Sequence, residues 1–436
     1  MEKTNKKIEV DALRPIPMNE RMDWKSMAFI QAGICVCVPA FLLGSILAES
    51  MNVVSGIVAG TIGYIIVVIV MAMLGGIGSD LGVATCSATQ SSLGVKGSRY
   101  LVCTIFTLNL IGWFGINNAV CGEAFSNVVS DVFGIQISLP LSSVIWGFIM
   151  LITAIYGMKA IEKLDKIALP LLMIIMIIGT YMVIKVYGTQ DLFTPVEQSM
   201  TFIQAVGLSF NFYAIGAVTP LDFTRFQKTR KDVYKATIWG VLPMGIITLI
   251  LGIVMTKIAN NFDISLVLIE IGIPILGVLA MVLSTWTTNA TNAYSGGLTT
   301  VMIFNMKDDK RREATAMIGL IGTVLGAFGL LNHIESLLSM MACIACPIGG
   351  IMFADYFIIG KGNPQNWHAV KGFNWAGVLA WLIGAIIAYV MYIEYLGIII
   401  GFVAYLIFEK FMPSPSRGTA QTKHRIDFEL ENSVIR

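Results

Sequence analysis

Long apolar runs limit what this sequence can fold into. Of its 436 residues, 56% are hydrophobic and 13% are charged, whereas a soluble domain carries about a quarter charged residues. Runs of about 20 apolar residues, the length of a helix that crosses a bilayer, recur along the chain. Twelve such runs lie at residues 25–49, 53–77, 98–129, 138–158, 164–187, 198–221, 235–259, 263–303, 313–331, 335–359, 373–392 and 395–412. We expect an all-α polytopic membrane protein with twelve transmembrane helices in a lipid bilayer.

The basic residues test this count independently. If the N-terminal tail is cytoplasmic and each run crosses once, 27 of the 29 Lys and Arg residues lie inside, and Lys185 and Lys257 lie outside. Cytoplasmic loops carry an excess of basic residues. If one span were missing from the count, every later loop would be assigned to the opposite side of the membrane, and this excess would be lost. The distribution predicts twelve crossings of a plasma or inner membrane, with a cytoplasmic tail at 1–24 and a disordered cytoplasmic tail at 413–436.

Enzymatic and nucleic-acid functions find no support in the motifs. The sequence has no Gly-x-x-x-x-Gly-Lys phosphate loop, no His-Glu-x-x-His metal motif and only three histidines. We therefore predict no enzyme, no resident cofactor or metal, and no nucleic-acid partner. The remaining classes are a secondary transporter, a channel and an intramembrane hydrolase, of which the last would need a nucleophile and base that are not apparent.

A polar segment interrupts the eighth run. Residues 284–292 read Ser-Thr-Trp-Thr-Thr-Asn-Ala-Thr-Asn, with seven hydrogen-bonding side chains, one indole and no formal charge. Inside a membrane every polar group needs a partner, so such a cluster is expected where it lines a cavity or holds a solute or ion. A neutral patch of hydroxyls and amides favours a desolvated alkali cation or a planar polar solute.

The third run carries a second polar stripe. Asn109, Trp113 and Asn117 recur at intervals of four, which places them on one helix face. A single asparagine would be interpreted as a bridge between helices. Three such residues together favour a binding surface that combines stacking with hydrogen bonding.

Two runs carry helix-breaking residues within their apolar cores. These are Gly33, Pro39 and Gly44 in the first run, and Asn211, Gly216, Thr219 and Pro220 in the sixth. Proline removes a backbone hydrogen bond and frees carbonyls that can coordinate a cation. Pro39 and Pro220 are 181 residues apart, and Trp113 and Thr288 are 175 apart. We predict a five-plus-five inverted repeat, with units at 25–187 and 198–359 and two extra helices at 373–412, which favours a secondary transporter over a channel.

The broken runs and polar stripes belong to segments that resemble the nucleobase cation symporter family, and most closely its bacterial cytosine permeases. The matching segments are Gly112-Trp-Phe-Gly-Ile-Asn117, Leu221-Asp-Phe-Thr-Arg-Phe226, Thr285-Trp-Thr-Thr-Asn289 and Pro347-Ile-Gly-Gly-Ile-Met-Phe-Ala-Asp-Tyr356, with Gly94-Val-Lys-Gly-Ser98 in addition. They keep the family's order and spacing over residues 25–412. The resemblance implies symport of a heteroaromatic base with a cation.

The resemblance also implies particular binding residues. In the family, aromatic rings of the third and sixth spans sandwich the base, and these match Trp113 and Tyr213. Asn117 stands where many members have glutamine, and Asn289 and Asn292 are the candidates on the eighth span, with Asn109 completing the substrate-binding set. The cation site implied by the sodium-coupled members consists of main-chain oxygens near Cys35, Cys37 and Val38, together with Ser284, Thr287 and Thr288.

Substrate and ion stay open at this level. Cytosine permeases carry a glutamine where this chain has Leu110, so a hydroxymethylpyrimidine, a purine or a hydantoin-like ring remains an alternative to cytosine. Sodium is favoured as the co-transported ion. Glu123 and Glu270 are potentially membrane-embedded, which keeps proton coupling as the alternative.

Three charged residues in the motifs receive a different role. Asp222 and Arg225 close the sixth span beside a basic loop, and Asp355 ends the tenth near the same face. Because charge is costly at the bilayer midplane, we interpret them as gate or anchor ion pairs. We expect a monomer in which spans one, two, six and seven rock against the rest.

Overall fold

The computed structural model describes residues 13–261, 263–328 and 334–412, and these residues are overwhelmingly helical. The predicted tail at 413–436 and the first part of the predicted tail at 1–24 lie outside the described residues. Nine unbroken helices match predicted runs within this described part: span 2 (Val53–Leu81), span 3 (Cys103–Phe133), span 4 (Leu139–Tyr156), span 5 (Met158–Tyr187), span 7 (Arg230–Ala259), span 8 (Pro274–Ile303), span 9 (Arg311–Ala327), span 11 (Trp375–Met391) and span 12 (Leu396–Phe411).

Three further spans are composite. Span 1 consists of Trp24–Cys35 and Val38–Ser50, span 6 of Phe202–Asn211, Ala214–Val218 and Leu221–Thr224, and span 10 of Ile334–Phe353 continued by a π-helical segment, Ala354–Ile359. Short helices between the spans are Met18–Glu20, Thr85–Ala88, Gly94–Gly97 with the π-turn Ser98–Val102, Ile264–Glu270, Asp308–Lys310 and Pro364–Asn366. The order of helices agrees with the predicted twelve spans.

Individual helices differ in how clearly they qualify as membrane spans. By length and apolar composition alone, six described helices can cross a bilayer, and the two halves of span 1, bent by 51°, form a seventh when taken together. Span 8 is long enough but polar, span 6 is divided, and spans 9, 11 and 12 have 17, 17 and 16 residues. Spans 6 and 8, which depart from an unbroken apolar helix, both carry candidate site residues.

The breaks fall where the sequence predicts them. The first half of span 1 ends at Cys35 and the second begins at Val38, with Pro39 in its first turn, where a missing N–H costs no hydrogen bond. Span 6 is interrupted at residues 212–213 and again at Thr219 and Pro220. Both interruptions release backbone groups from the helical ladder beside the centre of the protein.

Gly44 allows span 1 to pack closely against span 7 and is not part of the break in span 1. A Cβ at Gly44 would lie 2.5 Å from the Leu249 carbonyl oxygen, and a Cβ at Gly252 would lie 2.2 Å from the Phe41 carbonyl oxygen. These two glycines let the backbones of spans 1 and 7 touch. Spans 1 and 7 are therefore closely packed along this contact.

The predicted eighth run, 263–303, is too long. The structure ends a short helix at Glu270, turns at Gly272 (φ 86°), and starts span 8 at Pro274. Pro274 lacks the N–H that would continue the helix from the preceding residues and suits a first helical turn. Residues 263–273 therefore form a separate structure beside the span.

The described part of the predicted N-terminal tail is packed against the protein. Its backbone donates hydrogen bonds from Ile16 to Gly82 O (2.9 Å) and from Met22 to Phe226 O (2.6 Å). The Leu13 amide donates to an oxygen of Asp308 at 2.6 Å, and Leu13 and Ile16 are buried. Residues 13–23 thus tie span 2, the end of span 6 and the loop before span 9 to one another.

Candidate substrate and cation site

A central cavity lies between spans 1, 2, 3, 6 and 8. It is lined by Ile34, Cys35, Cys37, Ala40, Tyr64, Met71, Asn109, Leu110, Trp113, Phe212, Tyr213, Ile215, Gly216, Thr219, Phe223, Thr288, Thr291, Asn292 and Ser295. Most of this lining is apolar or aromatic, with a few polar groups along spans 3, 6 and 8. Such a lining is typical of a site for a small, flat, partly polar molecule.

Four of the six predicted substrate residues line this cavity: Asn109, Trp113, Tyr213 and Asn292. The Oδ1 atom of Asn109 and the hydroxyl of Tyr213 have no hydrogen-bond partner among the described residues. Buried polar atoms without partners are costly, so a ligand that pairs with them gains affinity. Their role as substrate ligands stays a prediction.

Asn117 and Asn289 do not line the cavity. The Asn117 amide donates to Trp113 O at 2.9 Å, within its own helix, and the Asn289 amide donates to Phe114 O at 3.1 Å. Asn289 therefore joins span 8 to span 3. Both residues are fully buried and hold backbone groups in this structure, and their contact with substrate stays a prediction.

The break in span 6 positions Tyr213. Its backbone (φ −124°, ψ 8°) is not helical, and its ring lies over Gly216, where a Cβ would come within 2.6 Å of Cε1. Glycine at position 216 therefore leaves room for the tyrosine ring. The Tyr213 ring reaches the cavity because span 6 is interrupted at residues 212–213.

The candidate cation oxygens of span 8 meet span 1 at Gly33. The Thr287 hydroxyl donates to Gly33 O at 3.1 Å and to Ser284 O at 3.0 Å, and the Thr288 hydroxyl donates to Ser284 O at 3.1 Å and approaches Gly33 O at 3.5 Å. The threonines thus bond both to their own helix and across to span 1. Two carbonyls and two hydroxyls form a compact neutral cluster, the ligand type that hard cations prefer.

Gly33, whose carbonyl faces this cluster, was not among the span 1 residues predicted to bind the cation, and the role of those residues stays a prediction. We expected oxygens near Cys35, Cys37 and Val38, and the structure places Gly33 O against the threonines. Gly33 belongs to the last turn before the break, where a helix leaves four carbonyls without internal partners. Cys35 and Cys37 line the central cavity, and Cys37 precedes the second half of span 1, which begins at Val38.

The row of serine and threonine hydroxyls on one face of span 8 is longer than the sequence predicted. Thr291 and Ser295 also line the cavity, and they continue the helical spacing set by Thr288. The Ser295 hydroxyl has no hydrogen-bond partner among the described residues. Tyr64 on span 2 is a further lining residue, and its apolar sequence context gave no signal of this position.

The predicted gate residues act as anchors at one end of the molecule. Asp222 accepts a hydrogen bond from the Thr85 amide at 2.9 Å, and the buried Arg225 guanidinium donates to the Tyr294 hydroxyl at 2.6 Å. Arg225 lies close enough to Asp222 for charge attraction. The sixth span is thereby fixed to the loop after span 2 and to span 8.

Asp355 anchors span 10 in a similar way. It accepts hydrogen bonds from the Tyr405 hydroxyl at 2.8 Å and from the Ser91 hydroxyl. Spans 10 and 12 and the loop after span 2 are held together at this point.

The sequence did not predict a charged network that joins spans 2, 7 and 10. Arg230 at the start of span 7 donates through Nε to both oxygens of Asp80 on span 2, at 3.1 and 2.9 Å, and the Tyr356 hydroxyl of span 10 donates to the same carboxylate at 2.7 Å. The spacing in sequence, 150 and 276 residues, gave no indication that these groups meet. The network ties spans 2 and 7 to span 10.

The two glutamates considered for proton coupling are both exposed. Glu123 on span 3 and Glu270 at the end of the short helix before span 8 lie on the surface of the protein. Neither approaches the cavity lining. A proton as the coupled ion stays the alternative to sodium.

Known transporters share this arrangement of helices. Mhp1, described as a nucleobase-cation-symport-1 family transporter in a closed conformation with bromovinylhydantoin bound, matches with a TM-score of 0.83 at 19% identity, over 95% of this chain and 99% of that chain. A Na+-coupled sialic acid symporter in a substrate-bound outward-open state matches with a TM-score of 0.68 at 12% identity, over 94% and 93%. These likenesses show the fold, an all-helical multi-pass membrane protein with a five-plus-five inverted repeat.

Sequence comparison specifies the family. A family model described as permeases for cytosine/purines, uracil, thiamine and allantoin matches residues 15–409, and the chain belongs to this family. The cytosine permease of Escherichia coli (strain K12) is 25% identical over 374 residues, 85% of this chain and 86% of that protein. The hydantoin permease of Microbacterium maritypicum is 26% identical over 432 residues, 91% and 86%. The predicted family resemblance is confirmed.

Proposed function

We propose that this protein imports cytosine or a related pyrimidine or nucleobase together with a monovalent cation, with sodium favoured. The observation that carries the proposal is the cavity between Trp113 and Tyr213, placed next to the oxygen cluster of Gly33 and Thr287. A flat ring between two aromatic side chains would be held by stacking. The adjacent neutral oxygens would hold a desolvated alkali cation.

Hydrogen bonding at the ring edge would select the substrate. Asn109, with its unpaired Oδ1, and Asn292 offer donors and acceptors at the cavity wall. A site with buried hydrogen-bonding groups strongly rejects a ligand that leaves them unpaired. A heterocycle with adjacent donor and acceptor positions satisfies this requirement.

A hydantoin-like ring is the alternative substrate. Leu110 lines the cavity at the position where the resemblance to cytosine permeases implies glutamine, and an apolar side chain there removes one group that would read cytosine. A hydroxymethylpyrimidine or a purine would fit the same slot. The relatives named as cytosine and hydantoin permeases have nearly equal identity to this chain, so sequence similarity favours neither ring.

Coupling of the two solutes would arise on span 8. Thr288 belongs both to the cavity lining and to the oxygen cluster at Gly33, so either ligand would favour the helix position that the other needs. The cycle we propose is alternating access, in which spans 1, 2, 6 and 7 rock against the rest. The repeats would span residues 25–187 and 198–359, both termini would face the cytoplasm, and a monomer would suffice.

Uptake into proteoliposomes tests the proposal. Labelled cytosine should accumulate when an inward sodium gradient is imposed, and unlabelled pyrimidines, purines and hydantoins should compete in an order that ranks the substrates. A proton gradient imposed in sodium-free buffer tests the proton as the alternative coupled ion. Absence of accumulation under both gradients, for every ring in the panel, would contradict symport.

A further inference from the structure

A buried carboxylate on span 5 has no role in the cycle described above. Asp165 has 0% of its surface exposed, and neither of its carboxylate oxygens has a hydrogen-bond partner in the described part of the chain. The neighbouring Lys166 is directed elsewhere, to Glu162 at 2.6 Å and Ser26 at 3.1 Å. Ionisable groups inside membrane proteins are costly unless paired, and they mark ion pathways.

Asp165 lies against the residue that faces the proposed cation oxygens. A Cβ placed on Gly33 would come within 2.8 Å of Asp165 Oδ1 and 3.0 Å of its Cγ, so glycine at position 33 admits the carboxylate to the span 1 backbone. The carbonyl of the same glycine accepts the Thr287 hydroxyl at 3.1 Å. Standard bond lengths across one residue then put the carboxylate within roughly 9 Å of that hydroxyl.

We propose that Asp165 supplies the negative charge that balances the co-transported cation between spans 1 and 8. The inference rests on the proposed function and adds a third wall, from span 5, to a site whose other oxygens are neutral. One carboxylate offsets one positive charge, which suits a monovalent alkali ion. Because attraction between charges is stronger in the protein interior than in water, ion and carboxylate each remove the other's cost of burial.

The position of Asp165 also links the ion to the conformational cycle. Span 1 belongs to the group of spans that rocks, and span 5 belongs to the other group. A cation held at the Gly33 carbonyl, with Asp165 on the other side of the same residue, would favour the conformation in which spans 1 and 5 are packed together. Loss of the ion would leave an uncompensated carboxylate at that contact and weaken it.

Neutralisation of Asp165 is the direct test. The Asp165→Asn protein keeps the side-chain shape, and we expect the sodium concentration for half-maximal binding, measured with labelled sodium on purified protein, to rise at least about tenfold, equivalent to about 1.4 kcal/mol. The matched control is Glu162→Gln, one helical turn earlier, in a partly exposed pair with Lys166. This variant should change the sodium concentration for half-maximal binding by less than about twofold. An unchanged sodium affinity in folded Asp165→Asn would overturn the inference.

A measurement on the unaltered protein decides the matter if Asp165→Asn fails to fold. A hydrophobic carbodiimide should modify Asp165, and mass spectrometry of the peptide reports the yield. We expect sodium to reduce modification at Asp165 several-fold relative to choline at equal ionic strength. Equal modification in the two salts would overturn the inference.

The outcomes separate this inference from the proposed function. Sodium protection of Asp165 without uptake of any tested ring would support the carboxylate site while contradicting nucleobase symport. Sodium-driven uptake with an unprotected Asp165 would support symport while overturning the role of Asp165.

Discussion

At the scale of single residues, the cavity separates side chains that face a ligand from those that hold helices. Asn109 and Asn117 lie on one stripe of span 3, yet Asn109 reaches the cavity and Asn117 bonds to its own helix. Trp113 lines the cavity, whereas Trp286 on span 8 donates its indole N–H to Thr153 at 3.0 Å. Chemically similar residues therefore provide matched pairs for testing function.

Trp113→Ala should weaken substrate binding strongly. Stacking of a base on an aromatic ring contributes about 1–3 kcal/mol, so affinity should fall by about fivefold to 150-fold, measured as Kd by equilibrium binding. Trp286→Phe removes an indole that contacts span 4, and its Kd should match that of the wild type. Equal affinities of Trp113→Ala and wild type would show that Trp113 only packs against its neighbours and does not stack on the substrate.

Asn109→Leu should raise the substrate Kd more than Asn117→Leu. The first change removes an unpaired acceptor at the cavity wall, and the second removes a buried hydrogen bond within span 3. Loss of a partner for a substrate group costs about 1–3 kcal/mol, whereas Asn117→Leu should act mainly on thermal stability. Binding and melting measurements on both variants check this, and a larger rise in Kd for Asn117→Leu would reverse the assignment.

At the scale of helices, composition and local packing account for most of the architecture. Pro39 and Pro220 predicted the two broken spans, and the apolar runs predicted the order of helices. What sequence periodicity could not supply was contact between helices. It gave no indication that the Gly33 carbonyl meets Thr287, or that Asp80 meets Arg230 across 150 residues of chain.

Alanine at Gly44 or Gly252 should destabilise the paired spans 1 and 7. Each new methyl group would meet backbone atoms within 2.6 Å, which cannot move aside as a flexible side chain can. Overpacking of this kind costs about 1–3 kcal/mol, and the melting temperature of the purified protein should fall. Gly56→Ala is the control, since its Cβ would find its nearest neighbour at 3.5 Å, and an equal loss in that variant would contradict the explanation.

At the scale of the whole molecule, a set of polar contacts joins several spans at one end of the protein. The network of Asp80, Arg230 and Tyr356 joins spans 2 and 7 to span 10, across the division between the two groups of helices that we propose rock against each other. The N-terminal residues 13–23 cross the same division through Asp308. By the predicted orientation these contacts are cytoplasmic, so they would hold the inner side closed.

Asp80→Asn should shift the protein toward its inward-open form. The variant weakens the hydrogen bonds with Arg230 and Tyr356, and apparent substrate affinity from the outside should fall several-fold as the outward-facing population declines. Transport assays over a range of external substrate concentrations measure this. Glu313→Gln, in an exposed pair with Lys310, should leave the affinity unchanged, and an equal effect of both variants would contradict a gate.

The reciprocal effect of sodium and substrate on each other's binding tests the central claim most directly. Titrations on purified protein should show that sodium tightens substrate binding and that substrate tightens sodium binding by the same factor. In Thr287→Val, which removes one hydroxyl from the cluster at Gly33, we predict that this factor falls toward one while substrate still binds. Substrate affinity that is identical with and without sodium in the wild-type protein would contradict the account.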